Sequence, residues 1–328
     1  MTSTDIVVVS SNSPQQQPSQ QRPSQQQQQQ AWYKNGSLPL GSCIYGIPIY
    51  LHYSFFMLLI IMLLSSLLGH ATDGKYWAMI VLIYGPILLV TIIIHEFGHA
   101  LMTMYCDGQV KEMVLWPLGG YVICGPVDTV TQDFCVAIAG PLTHLPQMAL
   151  WGFIFAVIEN GVSNLEQYYD ENMSFGGNLC SQAFFLNVIL LVFNLFVPAY
   201  PLDGGRCLAA GLMVCGLDGL KAAIATAIIG MVISIAFVIW GLVSFIQGSP
   251  GGLFTAIIGA WILMESWKLL KLTRPASGQY GEIVDNLKNH PIFGQRCYQN
   301  EIAKNSNNNS NGAESPALKK NGNGFSVL

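Results

Sequence analysis

The feature that most constrains this chain is the scarcity of charge in its middle: residues 51 to 270 hold only 18 Asp, Glu, Lys or Arg in 220 positions. A water-soluble domain carries about 25% charged residues, and this stretch falls far below that level. Over all 328 residues the charged share is 10% and the hydrophobic share 52%. Those proportions describe a polytopic membrane protein rather than a soluble fold. A net charge of −4 gives no reason to expect nucleic-acid binding. The eight cysteines show neither CxxC spacing nor disulfide density, and they read as reduced, buried small apolar residues.

Six apolar stretches approach the roughly 20 residues that cross a bilayer: about 50 to 69, 77 to 104, 134 to 158, 182 to 202, 220 to 247 and 251 to 268. Pro141, Pro146, Pro198 and Pro201 interrupt the third and fourth. Such breaks are tolerated in lipid only where protein or water re-satisfies the backbone, so they suggest an internal site. Residues 1–40 are Gln-rich and residues 275–328 include an Asn-rich run; both read as mostly disordered tails around a membrane domain at 41–274. The polar start is not that of a cleavable signal peptide. Six spans place both tails on one side with 13 of the 14 Lys and Arg, Lys75 being the exception. By the positive-inside rule that side, and both termini, are cytosolic.

Between Gly108 and Gly125, two short apolar runs flank Pro117-Leu118-Gly119-Gly120. They read as a small β-hairpin at the membrane surface, with an irregular re-entrant loop as the alternative. The expected fold is therefore an all-α polytopic membrane protein of about six transmembrane helices with one small membrane-surface β-hairpin.

The second span ends in His95-Glu96-Phe97-Gly98-His99. Residues four apart share a helix face, so both imidazoles can address one ion with Glu96 beside them. Ionisable groups within an apolar span are functional candidates by default, against the alternative that they pack or snorkel. A catalytic zinc site needs a third protein ligand and an open position. Asp203, after the proline-broken Phe193–Leu202 segment, suits that role better than Glu265, which has Lys268 one turn on as an ion-pair partner. The alternative for Asp203 is a helix cap before Gly204-Gly205. Asp107, Asp128 and Asp133 read as solvated loop residues.

These residues resemble the bacterial-type branch of the site-2 protease family, intramembrane zinc metalloproteases of peptidase family M50. The resemblance runs from Gly41 to about Ala210: Gly46-Ile47-Pro48-Ile49 and His52 in the first span, HEFGH at 95–99, Pro117-Leu118-Gly119-Gly120-Tyr121, Ala139-Gly140-Pro141-Leu142, and Pro198-Ala-Tyr-Pro-Leu-Asp203-Gly-Gly-Arg206. It implies that 41–274 is a metalloprotease domain with one Zn2+ per chain, held by His95, His99 and Asp203, and that Glu96 is the catalytic carboxylate. It implies hydrolysis of membrane-anchored proteins in or beside the bilayer; the sequence does not name the organelle, an endomembrane such as Golgi or ER being one candidate. A catalytically silent binding or chaperone-like relative is the alternative; a transporter would leave Glu96 unexplained. Gly119, Gly120, Asn194 and His144 are candidates for holding substrate or oxyanion. His144 stands where the family pattern has asparagine, and Asn194 stands four residues before Pro198, one more than that pattern. His144 either orients such a group through a ring N–H or is a satisfied core histidine.

Overall fold

The computed structural model describes residues 36–274 except 43, 69–73, 117–118, 125–126, 168–169 and 171, together with 286–287, 290, 292–293 and 298. The Gln-rich and Asn-rich runs and the Pro117-Leu118 turn lie outside the described residues.

Where a span was expected from about residue 50, the chain forms a strand. Ile47, Ile49 and Leu51 are buried while Pro48 and Tyr50 between them are half-buried, a period of two. Pro48, without an N–H, suits a strand start rather than a helix interior. Strand β2 (Pro48–His52) pairs antiparallel with β1 (Ser37–Ser42), and helix α1 (Phe55–Leu68) begins only after it. β2 then pairs in parallel with β3 (Val110–Trp116), Ile49 opposite Met113, and β3 pairs antiparallel with β4 (Gly119–Cys124). The expected hairpin is thus half of a four-stranded sheet in the order β1-β2-β3-β4, not a re-entrant loop. The sheet packs through Ile49, Leu51, Met113 and Leu115 onto Phe55 of α1 and onto Ile92 and Ala100 of the helix that carries the histidines.

That helix is the second half of a 32-residue span, Gly74–Tyr105. It consists of α2 (Gly74–Leu82), a π-turn at Ile83–Ile87 and α3 (Leu88–Tyr105). Pro86 lies within the π-turn, and a widened turn is one way for a helix to accommodate a residue with no N–H. The next span joins α4 (Val130–Leu142) to α5 (His144–Ile158), with α4 opened by a reciprocal Thr129–Gln132 capping box. α6 (Phe175–Phe196), the short α7 (Asp203–Val214), α8 (Gly219–Ile246) and α9 (Pro250–Leu272) follow.

Among the described residues, five helical stretches are long and apolar enough to cross a membrane, and Phe55–Leu64 adds a shorter apolar helix. Their outer faces expose large side chains such as Phe153 (69%), Ile239 (58%) and Trp240 (62%). In water such surface is unfavourable by about 25 cal/mol per Å2, whereas hydrocarbon is its natural solvent. The protein is a multi-pass membrane protein built of helices and one small sheet. α8 and α9 pack closely because Gly241 and Gly259 abut the partner helix's backbone, where a Cβ would collide.

Two expectations are corrected. Leu287, Ile292, Phe293 and Tyr298, assigned from sequence to a tail, lie in one core cluster with Val136, Ala209, Ala223, Ala227 and Leu269, because their apolar side chains fill the space between α4, α7 and α8. The six described cysteines are free, yet Cys135 and Cys215 are exposed rather than buried.

Candidate metal centre

One helix turn sets the first two donors. His95 and His99 lie on the same face of α3, both buried, with ring centroids 4.9 Å apart and ring planes at 78°. The third donor arrives from α7. α6 stops at Phe196, the Pro198–Pro201 segment runs non-helically, and Asp203 opens the next helix. Gly204 and Gly205 make this entry possible, since a Cβ at either would strike the backbone of Val197 or Ala199. Asp203 does not cap its helix; its side chain turns to the histidines.

The three donor atoms form a nearly equilateral triangle. His95 Nε2 lies 3.1 Å from Asp203 Oδ2 and 3.1 Å from His99 Nε2, and His99 Nε2 lies 3.3 Å from Asp203 Oδ2. Ligands at roughly 2.0–2.1 Å from a tetrahedral zinc are about 3.3–3.4 Å from one another, so two imidazoles and one carboxylate fit the ion in both chemistry and spacing. Among the described residues this is the one such group of three or more His, Cys, Asp or Glu.

Around the triangle, small residues leave the required room. A Cβ at Gly140 would occupy the space of the His99 ring, and one at Gly98 would strike Ala139 of α4 and Thr143 at its C-cap. Both glycines thus let α4 close against α3. His99 Nδ1 donates to the Val136 carbonyl at 2.7 Å. Glu96, buried, takes a hydrogen bond from the Gly120 backbone N–H, and its side chain lies against Gly120 so tightly that no Cβ would fit there. Gly119, with φ of 144°, holds a conformation that residues with a Cβ rarely adopt.

The other sequence candidates are placed as follows. His144, 1% exposed, faces His95 Nδ1 on the side away from the donor triangle. Asn194, half-buried on the last turn of α6, joins none of these hydrogen bonds. Glu265 pairs with Lys268 at 2.8 Å on the last span.

Three residues near the centre escaped the sequence reading. Asp133 is not a solvated loop residue; it is fully buried in the first turn of α4 and pairs with Arg206 of α7. The span was expected to start at 134, one residue too late to include it. Arg206 Nη2 and Nε donate to Asp133 Oδ1 at 2.5 and 3.1 Å, and Tyr298 OH donates to Asp133 Oδ2 at 2.8 Å. Burial works against the guanidinium's charge, but the adjacent Asp133 carboxylate outweighs it and holds Arg206 above its usual range. Asn187, midway along α6, was legible only as an amide within an apolar run.

The sequence pattern of peptidase family M50 matches residues 84–175, which contain both histidines and Glu96. The chain belongs to the site-2 protease family, peptidase family M50. Asp203 lies beyond the matched segment and is joined to it by geometry. This family member is 30% identical over 236 residues to Rip3 of Mycobacterium tuberculosis, covering 69% of this chain and 56% of that protein. It is 29% identical over 201 residues to a zinc metalloprotease of Methanocaldococcus jannaschii, covering 61% and 53%. The chain thus spans about half the length of the curated relatives it matches. The solved Site-2 Protease from Methanocaldococcus jannaschii aligns with 72% of this chain and 95% of its own, with a TM-score of 0.49 and 24% identity.

Proposed function

We propose that this chain is a zinc-dependent endopeptidase that hydrolyses peptide bonds in or near the transmembrane segments of membrane-anchored proteins. The observation that carries the reading is the convergence of His95, His99 and Asp203 on one point, with the buried carboxyl of Glu96 beside them inside an apolar span. Zinc, when bound there, polarises the scissile carbonyl and brings the pKa of water down to about 7.

The chain's own residues supply the rest. Glu96 accepts the proton of the attacking water and returns it to the leaving nitrogen, and the Gly120 N–H holds its carboxyl in place for both transfers. Substrate must be unwound, because the peptide bonds of an intact helix are hidden by their own hydrogen bonds. β4 ends the sheet, and among the described residues no strand pairs with its outer edge. An extended substrate added along that edge runs past Gly119 and Gly120 toward Glu96. Asn194, on the last turn of α6, is proposed as a further contact for the same segment. The distribution of Lys and Arg supports termini on the cytosolic side, with water reaching the site from there.

Glu96→Gln tests the reading against a panel of membrane-anchored substrates, with bound zinc measured in parallel. Cleavage is expected to fall about 10²–10⁴-fold while one zinc per chain is retained. Cleavage at the wild-type rate removes Glu96 from the mechanism, and a wild-type chain that binds zinc but cleaves nothing makes this a silent family member.

A further inference from the structure

The two histidines are held from behind by unlike means. His99 Nδ1 bonds a backbone carbonyl, that of Val136. His95 Nδ1 bonds a second imidazole, His144 Nε2, at 3.0 Å, so its protonation pattern depends on side chains.

The pattern follows from one fully buried amide. Asn187 Nδ2 donates to the Ala183 carbonyl at 2.9 Å, which identifies the other end of the amide as oxygen. That oxygen lies 2.8 Å from His144 Nδ1 and can only accept, so His144 carries its proton on Nδ1. His144 is buried, its two ring partners are an amide oxygen and an imidazole, and neither is a counter-ion for a second proton. His144 Nε2 is therefore a bare acceptor. The proton between the rings belongs to His95 Nδ1, and His95 Nε2 turns a lone pair toward Asp203 and His99.

We infer that His144 and Asn187 are positioning residues, a relay from α6 through α5 to α3 that fixes the tautomer and ring orientation of His95 and so sets the metal affinity of the centre. This rests on the zinc reading above and gives His144 a role on the metal side rather than against substrate. Outer partners of this kind orient ligands and raise their basicity, and their loss typically lowers metal affinity about 10–100-fold.

The test uses the full chain in detergent, with zinc affinity measured by chelator competition for wild type, His144→Phe, His144→Gln and Asn187→Leu. His144→Phe is expected to bind zinc about 10–100-fold more weakly. His144→Gln, whose side-chain carbonyl can accept from His95 Nδ1, restores most of that loss, a rescue that a space-filling role does not predict. Asn187→Leu keeps His144 but releases its Nδ1; 15N spectra of the zinc-free protein then show His95 spread over both tautomers instead of Nδ1–H alone. Unchanged affinity in His144→Phe overturns the inference, as does His144→Gln no better than His144→Phe, or a His95 tautomer unaffected by Asn187→Leu. Wild type that binds no zinc fails the underlying reading as well, so the two failures are distinguishable.

Discussion

Asp203 and Arg206 stand three residues apart on α7, and their surroundings are completed in opposite ways. Arg206 meets its counter-charge within the protein: Asp133 accepts from the guanidinium on both oxygens and from Tyr298 on Oδ2, leaving neither oxygen unused. Asp203 meets the Nε2 atoms of two imidazoles that are themselves held from behind through Nδ1. Three donor atoms within 3.3 Å of one another are spaced to share one cation. The first cluster is finished by folding alone. The second is the donor set of the proposed zinc site, and in that reading its partner is a ligand from outside.

The sharpest way to break this contrast is Arg206→Leu. It leaves Asp133 as an uncompensated buried charge and should cost about 3–5 kcal/mol, with or without zinc. Adding Asp133→Leu should recover much of the loss, since an apolar pair has no charge to desolvate. Thermal unfolding in detergent measures both, and equal losses for the single and double variants would show that the pair is not the cause.

The open cluster should behave in the reverse sense. Asp203→Ala removes one of the three donors, so zinc affinity should fall by more than the 10–100-fold of an outer-partner loss. Zinc at one hundred times its Kd should stabilise wild type by about 2.7 kcal/mol and the variant by almost nothing. Melting temperatures with zinc and with chelator decide this. A variant stabilised by zinc as much as wild type would remove Asp203 from the donor set.

The smallest effect concerns His290, buried with its ring 4.9 Å from Tyr200 on the loop leading to Asp203. Burial pushes its pKa down to about 3. The unfolded histidine, near 6.5, takes up a proton first as pH falls. Stability from this contact is therefore complete above about pH 6.5 and declines as pH drops toward 3. Between pH 7 and 6 the loss should be below about 1 kcal/mol, and His290→Phe should abolish it. A pH–stability curve of the variant superimposable on wild type would assign that slope elsewhere.

What could be read from the sequence was mostly local. HEFGH places two histidines on one helix face by helical spacing alone, and the proline-broken run before Asp203 signals a carboxylate at an irregular point in the membrane. The strand at Pro48–His52 left a period-two signature too, but the adjoining apolar helix masked it, so it was absorbed into the first span. The closed cluster left no such mark. Asp133, Arg206 and Tyr298 are 73 and 165 positions apart, and pairing over such distances imposes no periodicity on either segment. Asn187 was equally silent, because its role depends on a histidine from another helix.

The 165 positions between Asp133 and Tyr298 also set an order of events at the ribosome. At roughly 5–20 residues per second, Tyr298 emerges on the order of 10–30 s after Asp133. Only after α7 has followed, Arg206 lying 73 positions beyond Asp133, can α4 and α7 meet, and the Tyr298 hydroxyl that joins Arg206 on Asp133 Oδ2 is then still to be made. A nascent chain halted short of residue 287 therefore lacks Leu287, Ile292, Phe293 and Tyr298, the side chains that pack between the helices carrying Asp133 and Arg206.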